Sequence, residues 1–453
     1  MKLLIENPKL SITNLMNVAK KSFKELEENT KISRRTFDLS SFLMSGLGIF
    51  YLKAPSLLAF DGFRTDPIEE NMKTLFEIDS VPSDTHFRRV VDEIETTSIT
   101  GLFEKYFNLL DKNNIIDEYT VLGKYVLISI DGTGFFHSNS INCACCLQKK
   151  HKNGTMSYEH QALPAVMIHP DKKEVFPIGL EIIEKQDGRA KNDCERNAAK
   201  RLLEKLRTTY PEMKMIIVED SLSSNVPHIK ELQRHKMKFI LGIKPGDHKK
   251  FFEKITVLKL QKPFQSSTTL EEIKNTKITR KLTFRNVIDL SSENEEIYVN
   301  YIELEETVFH IKSGISKTTN YSWITDIPVD QNNVFKLMKM ARSRWKIENE
   351  TFNTLKNQGY NFGHNFGHGK KNLANNMSVF MFLAFLIDQI QQYSCSIYKT
   401  IVEISKGKKY VFERIRGLFS LIIVKSFRDL YEKIVFLSKL NKDKYFIGYV
   451  DTS

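Results

Sequence analysis

Tyr125-Val126-Leu127-Ile128-Ser129-Ile130-Asp131-Gly132-Thr133-Gly134 is the stretch that decides the fold. Six mostly apolar residues end on a carboxylate, and glycines follow. A run of this length and ending reads as a strand buried on both faces, the mark of a sheet covered by helices. Met215-Ile216-Ile217-Val218-Glu219-Asp220 has the same form. Strands that each deliver an Asp at the C-terminal end bring Asp131 and Asp220 together if they are neighbours in one sheet. Adjacent ionised carboxylates repel, and a divalent cation relieves the repulsion by taking both as oxygen ligands.

Working outward, Ala162–His169 reads as a further strand, and Phe239–Ile243 as a short one closed by Lys244-Pro245-Gly246. A helix is expected from Asn192, with Glu195 as a capping-box partner and Ala198, Ala199, Leu202, Leu203 and Leu206 as its buried stripe. From 251 to 330 the apolar period becomes two, in Ile278–Leu282, Ile297–Leu304, Val308–Ile311 and Tyr321–Ile327, so a β-rich insertion is expected. Residues 334–358 are predicted as one long helix, and the chain beyond 372 as helical. Upstream, residues 1–120 read as mostly helical. One helix starts at Ser83-Asp84, with Phe87, Val90, Val91 and Ile94 as its apolar stripe and Arg88 and Arg89 pointing outward. This gives a helical N-terminal DNA-binding region (1–120), a split core (121–250 and 331–395), the insertion (251–330) and a helical C-terminal region (396–453).

The third acid comes from Arg344-Trp345-Lys346-Ile347-Glu348-Asn349-Glu350. Arg344 and Glu348 are four apart, about 40° around a helix, and share a face. Glu350 lies about 160° from Glu348, so the two cannot face one site.

This constellation resembles the DDE transposases of bacterial insertion sequences, specifically the insertion-sequence-four group. The resemblance rests on Ser129-Ile130-Asp131-Gly132-Thr133, on Val218-Glu219-Asp220-Ser221-Leu222 and on Arg344-Trp345-Lys346-Ile347-Glu348, and covers roughly residues 120–390. It extends to Phe352–Tyr360 and to His364-Asn365-Phe366-Gly367-His368-Gly369. It implies an α/β fold: a ribonuclease-H-like mixed sheet flanked by helices, interrupted by a β-rich insertion, with helical N- and C-terminal regions. Asp131, Asp220 and Glu348 are then the catalytic, metal-holding triad for two Mg²⁺ ions, with Mn²⁺ able to substitute. The implied activity is metal-dependent cleavage of transposon ends and strand transfer into target DNA. The implied partner is double-stranded DNA, as terminal inverted repeats and target, with a homodimer on paired ends in a bacterial, cytoplasmic, nucleoid-associated setting. Arg344 and Lys356 are the implied phosphate contacts, and Trp323 is the candidate to stack on a flipped base. Ala341 stands where the group has Tyr, and Leu355 where it has Lys. The rival readings are a nuclease of the same fold without strand transfer and an inactive DNA-binding remnant.

Composition agrees with a polyanionic partner. The 453 residues carry a formal charge of +12, which counterion release from phosphates would reward. Lys149, Lys150, Lys152, Lys244, Lys249, Lys250, Lys370, Lys371, Lys406, Lys408 and Lys409 are candidates for tracking a DNA backbone. Glu181, Asp187 and Glu195 are expected on solvated faces. Five cysteines do not suggest a secreted disulfide framework. Cys143-Ala144-Cys145-Cys146 stands near His137 and His151, but the group reads as lacking the two-residue gap of a zinc knuckle, and zinc is not expected there. His364 and His368 read as part of a glycine-rich turn. The longest apolar runs, Phe42–Leu52 and Met377–Ile387, fall short of the roughly 20 residues that span a bilayer, so no membrane partner is expected.

Overall fold

The computed structural model describes residues 2–4, 6–29, 38–64, 69–183, 194–291, 296–437 and 445–447. The core is a sheet built from β1 (Tyr125–Ile130), β2 (Thr133–Ser138), β3 (Leu147–Lys150), β4 (Met156–Ile168), β5 (Phe176–Ile183), β6 (Met215–Glu219) and β7 (Lys238–Gly242). β1 is buried along nearly its whole length and β6 throughout, as their unbroken apolar sequences require. β1 pairs antiparallel with β4 and parallel with β6, β6 pairs parallel with β7, and β5 lies antiparallel to β4. The order β5-β4-β1-β6-β7 is the mixed ribonuclease-H-like sheet that was expected. The hairpin strands β2 and β3 add to the far half of the long β4.

The insertion is β8 (Gln265–Ile273), β9 (Thr276–Asp289), β10 (Tyr298–His310) and β11 (Ile315–Thr325), an antiparallel meander. Trp323, Ile324 and Thr325 pair with Gly242, Leu241 and Ile240, so the meander continues the core sheet instead of standing apart. Two details differ from expectation. A helix, Lys249–Gln261, precedes the strands, and Ile297–Leu304 and Val308–Ile311 belong to one strand apart from its ends. β8 is exposed along nearly all its length, so no apolar alternation marks it in the sequence.

The N-terminal helices α1 (Ile12–Asn29), α2 (Leu39–Tyr51), α3 (Asp84–Asp92) and α4 (Thr96–Lys112) do not form a unit ahead of the core. They share its hydrophobic interior with the helix Leu373–Ser394. Gln391 donates to the Leu10 carbonyl (2.7 Å), and Asn376 to those of Val91 and Ile94 (2.8 Å each). The Tyr51 and Tyr431 hydroxyls meet at 2.7 Å. A Cβ on Gly46 would lie 2.5 Å from the Phe380 ring, so α2 approaches Leu373–Ser394 closely because this position has no side chain. Leu373–Ser394 is 22 residues long and holds an 18-residue window of mean hydropathy 1.4, enough by length and composition to cross a bilayer, which counting apolar runs did not foresee. In the fold its apolar window is wholly covered by protein. The helices Ser396–Ser405, Lys408–Leu421 and Phe427–Leu437 complete this layer as expected. The short strands Lys2–Leu4 and Tyr445–Ile447 pair in parallel, which the sequence did not suggest.

Candidate active site

Strand register sets the first two acids. Ser129 faces Val218 in the parallel pair β1/β6, so Asp131 and Asp220, each two residues further, leave the sheet at the same level. Asp220 accepts from the Leu222 amide (2.9 Å) and caps the turn Ser221–Ser223. That turn lies against β7, where a Cβ on Gly242 would stand 3.3 Å from the Ser221 nitrogen. The glycine lets the backbone behind Asp220 pass close to the neighbouring strand.

The third acid is held differently from expectation. The predicted helix over 334–358 is interrupted: an α-helix, Val334–Arg342, passes through a tight turn at Ser343 and Arg344 into a π-helical segment, Ile347–Phe352, before α-helix returns at Asn353–Asn357. Wide turns of this kind are frequent at functional sites. Two anchors fix this one. Ile347, Phe352 and Leu355 are buried, and the buried Lys346 ammonium donates to the carbonyls of His169 (2.6 Å), Pro170 (3.1 Å) and Lys172 in the connection after β4. Burial lowers the Lys346 pKa.

From this segment Arg344 bridges the acids. Its guanidinium donates to Asp131 Oδ2 (3.2 Å) and to Glu348 Oε1 (2.7 Å). Burial pushes the Asp131 carboxyl up to about 6; Arg344 opposes the rise, and the charges of Asp220 and Glu348 add to it. The charges of Asp220 and Glu348 therefore both bear on Asp131. The charge of Glu350 instead acts on Lys346 and Lys408.

A fourth carboxylate joins the group. Glu195 opens the helix Glu195–Thr209, and a Cβ on Gly132 would lie 2.9 Å from its Oε2. Desolvation raises its pKa, with Asp131, Asp220 and Glu219 adding to the rise. The sequence showed it as a capping acid on a solvated face, and it is indeed exposed, at the rim of the group. Asn192, its expected capping partner, and Asp187 lie outside the described residues. Glu181 is not solvated but buried, paired with Arg201 (2.5 Å) and Lys205.

The other expected contacts divide. Lys356 is exposed, while Leu355 is buried, so the exposed face at this point falls one residue later than the family spacing. Arg89 is exposed, and Arg88, with a partly exposed side chain, pairs with Asp84 on its own helix and lies beside Gly367. Trp323 is 7% exposed and stacks on Tyr321, with ring planes 7° apart, so a stacking platform is not what it presents in this structure. His137 pairs with exposed geometry to Glu159 (3.3 Å), and His151 contacts Ser157 (2.9 Å); neither approaches the cysteines. Beside Asp220, Lys249, Lys250 and Lys254 line a cleft of about 570 Å³ that also includes Asp247, which accepts from Ser221 Oγ at 2.7 Å.

Residues 123–386 match the family model described as the transposase DDE domain, more than half of the chain and all three acids. The chain belongs to this family. It is a DNA transposase with an α/β core. No curated protein matches the transposase sequence. Among solved structures it is similar to the piggyBac transposase in a synaptic complex with hairpin DNA, determined by cryo-EM. The identity is 11% and the TM-score 0.37, over 98% of this chain and 87% of that one, a distant likeness from which nothing further is drawn.

Proposed function

We propose that the transposase belongs to the insertion-sequence-four group and that Asp131, Asp220 and Glu348 hold two Mg²⁺ ions, for which Mn²⁺ substitutes. The observation that carries this reading is the convergence of the acids on Asp131: one guanidinium, Arg344, bridges Asp131 and Glu348, and the charges of Asp220 and Glu348 both bear on the Asp131 carboxyl. Three carboxylates on two strand ends and a helix are a hard-oxygen donor set, and the Asp131 pKa is raised by burial first, with the charges of Asp220 and Glu348 adding to it. When bound, such ions supply an activated water and stabilise the leaving oxygen in displacement at phosphorus.

The chain's own residues supply the rest. Arg344 ties the end of β1 to the catalytic helix and keeps Asp131 and Glu348 in register with each other. Lys346 locks that helix to the sheet through three carbonyls. Glu195, against Gly132, adds an acceptor at the edge of the site. Lys249, Lys250, Lys254 and Lys356, with Arg89, are exposed or line the adjoining cleft and suit a phosphate backbone. The reaction is then cleavage at a transposon end that frees a 3′-hydroxyl, followed by attack of that hydroxyl on target DNA, in a homodimer holding paired ends.

Cleavage and strand transfer of labelled terminal-repeat DNA in Mg²⁺ test this. Asp131→Ala, Asp220→Ala and Glu348→Ala are expected to lose both activities by at least about a thousandfold, since each removes a ligand. Glu350→Ala is expected to retain them. Full activity in any of the three would remove that residue from the site, and cleavage without joining by the wild type would favour a plain nuclease.

A further inference from the structure

We propose that Cys143, Cys146, His160 and His368 form a structural zinc site that pins the loop after the catalytic helix to the central sheet. The transposase chemistry uses none of these residues, and the carboxylate site plays no part in the proposal. Contrary to the expectation from the sequence, Cys143 and Cys146 do have the two-residue gap of a zinc ligand pair between them, in the connection from β2 to β3. The histidines come from β4 and from the loop beyond Asn357, the latter 222 positions from Cys146, so no short motif reveals them.

The four donor atoms lie within 4.8 Å of one another. The sulfurs are 3.7 Å apart. His160 Nε2 lies 3.4 Å from Cys143 Sγ and 3.3 Å from Cys146 Sγ, and His368 Nε2 lies 3.2 Å from Cys146 Sγ. The two Nε2 atoms are 3.2 Å apart. A tetrahedron with ordinary Zn–S and Zn–N bonds has edges of about 3.8 Å between sulfurs, about 3.6 Å between sulfur and nitrogen and about 3.3 Å between nitrogens. The sulfur–sulfur separation is the longest of these five, and each lies within about 0.4 Å of its tetrahedral edge. A disulfide does not, since its sulfurs sit at about 2.05 Å.

The outer partners aim the rings. His160 Nδ1 is 3.0 Å from Asn375 Oδ1, and His368 Nδ1 is 3.2 Å from the Gly369 carbonyl. Both are oxygen acceptors, which place the proton on Nδ1 and leave the Nε2 lone pairs facing inward. Two imidazole lone pairs facing each other at this distance repel unless a cation lies between them. Cys146, His160 and His368 are buried and Cys143 half-buried. Two thiolates neutralise one divalent ion, which suits such a position, and four protein ligands leave no place for a substrate. Soft sulfur ligands also separate this site from the oxygen-only carboxylates.

The site joins segments that the chain alone leaves far apart. Phe136, on the strand that follows Asp131, packs on the His368 ring at 4.5 Å. The adjoining turn is fixed by Asp92, which accepts from the amides of Lys370, Lys371 and Leu373 (2.9, 3.0 and 2.9 Å). With the ion in place, the loop behind Glu348 is held from two sides.

Metal analysis of the full chain, purified without chelator and with any metal-binding tag removed, tests the proposal. About one zinc per chain is expected, as for a closed four-ligand site, released when thiols are modified. Cys146→Ser and His368→Gln are expected to fall below about a tenth of that, while Cys194→Ser, Cys395→Ser and Asp131→Asn keep it. Cobalt loaded into wild-type protein is expected to show thiolate charge transfer and tetrahedral absorption, a readout that needs no variant to fold. Wild-type protein that holds no zinc and takes none up would overturn the site. So would a chain lighter by two hydrogens that returns on reduction, the sign of a Cys143–Cys146 disulfide. Zinc lost from Asp131→Asn but kept by Cys146→Ser would place the ion at the carboxylates and equally refute it.

Discussion

Asp131→Asn should stabilise the metal-free transposase at neutral pH. The folded chain raises this carboxyl from its ordinary value of 3.8 to about 6, a net effect in which burial and the neighbouring acids outweigh Arg344. That shift corresponds to about 3 kcal/mol of unfavourable free energy in the ionised state. The folded state therefore binds this proton more tightly than the unfolded chain. The penalty is fully present above pH 6 and disappears as the pH falls below about 4. An amide removes it while keeping an oxygen that can accept from Arg344. Unfolding entropy of about 2 cal/mol/K per residue makes the gain roughly 3 °C in Tm for a single cooperative transition of a chain this long. Thermal unfolding in EDTA at pH 7.5 should show the variant above wild type, with the difference gone at pH 4. In Mg²⁺ the order should reverse, because wild type gains a ligand and the variant loses one. A variant less stable than wild type in EDTA at pH 7.5, or equally advantaged at both pH values, would refute the coupled-carboxylate account.

Further outcomes follow from named contacts. Cleavage should weaken as pH falls through about 6, because protonated Asp131 cannot serve as an anionic ligand; saturating Mg²⁺ should move that limb to lower pH. Lys346→Met should cost about 2–4 kcal/mol in urea unfolding by leaving buried carbonyls without their donor, and should depress cleavage through the displaced helix. Lys53→Met should cost about 3–5 kcal/mol, since it strands Asp388, its buried partner at 2.6 Å; an added Asp388→Leu should recover most of the loss in a double-mutant cycle. Gly46→Ala should destabilise by about 1–3 kcal/mol despite its better helix propensity, because its methyl would meet the Phe380 ring.

The sequence by itself determined the strands β1, β4, β6 and β7 of the core and the acids that close β1 and β6, while β2, β3 and β5 showed no comparable signal. Mostly apolar runs such as Val126–Ile130 and Met215–Val218 suit a doubly covered strand, and an acid closing such a run emerges at the sheet edge. The four-residue step from Arg344 to Glu348 likewise survives in the structure, even though the helix around it is wound differently. Tertiary structure decided what depends on separate segments meeting. Glu195 looked like a helix cap until the chain folded it against Gly132, and Trp323 looked available until β11 joined the core sheet. His160 and His368 became partners of the cysteines only because distant segments are brought together there. Local sequence encodes periodicity and chain direction over a few residues. The distance between residues far apart in the chain is set by packing of the whole core, which no local window contains.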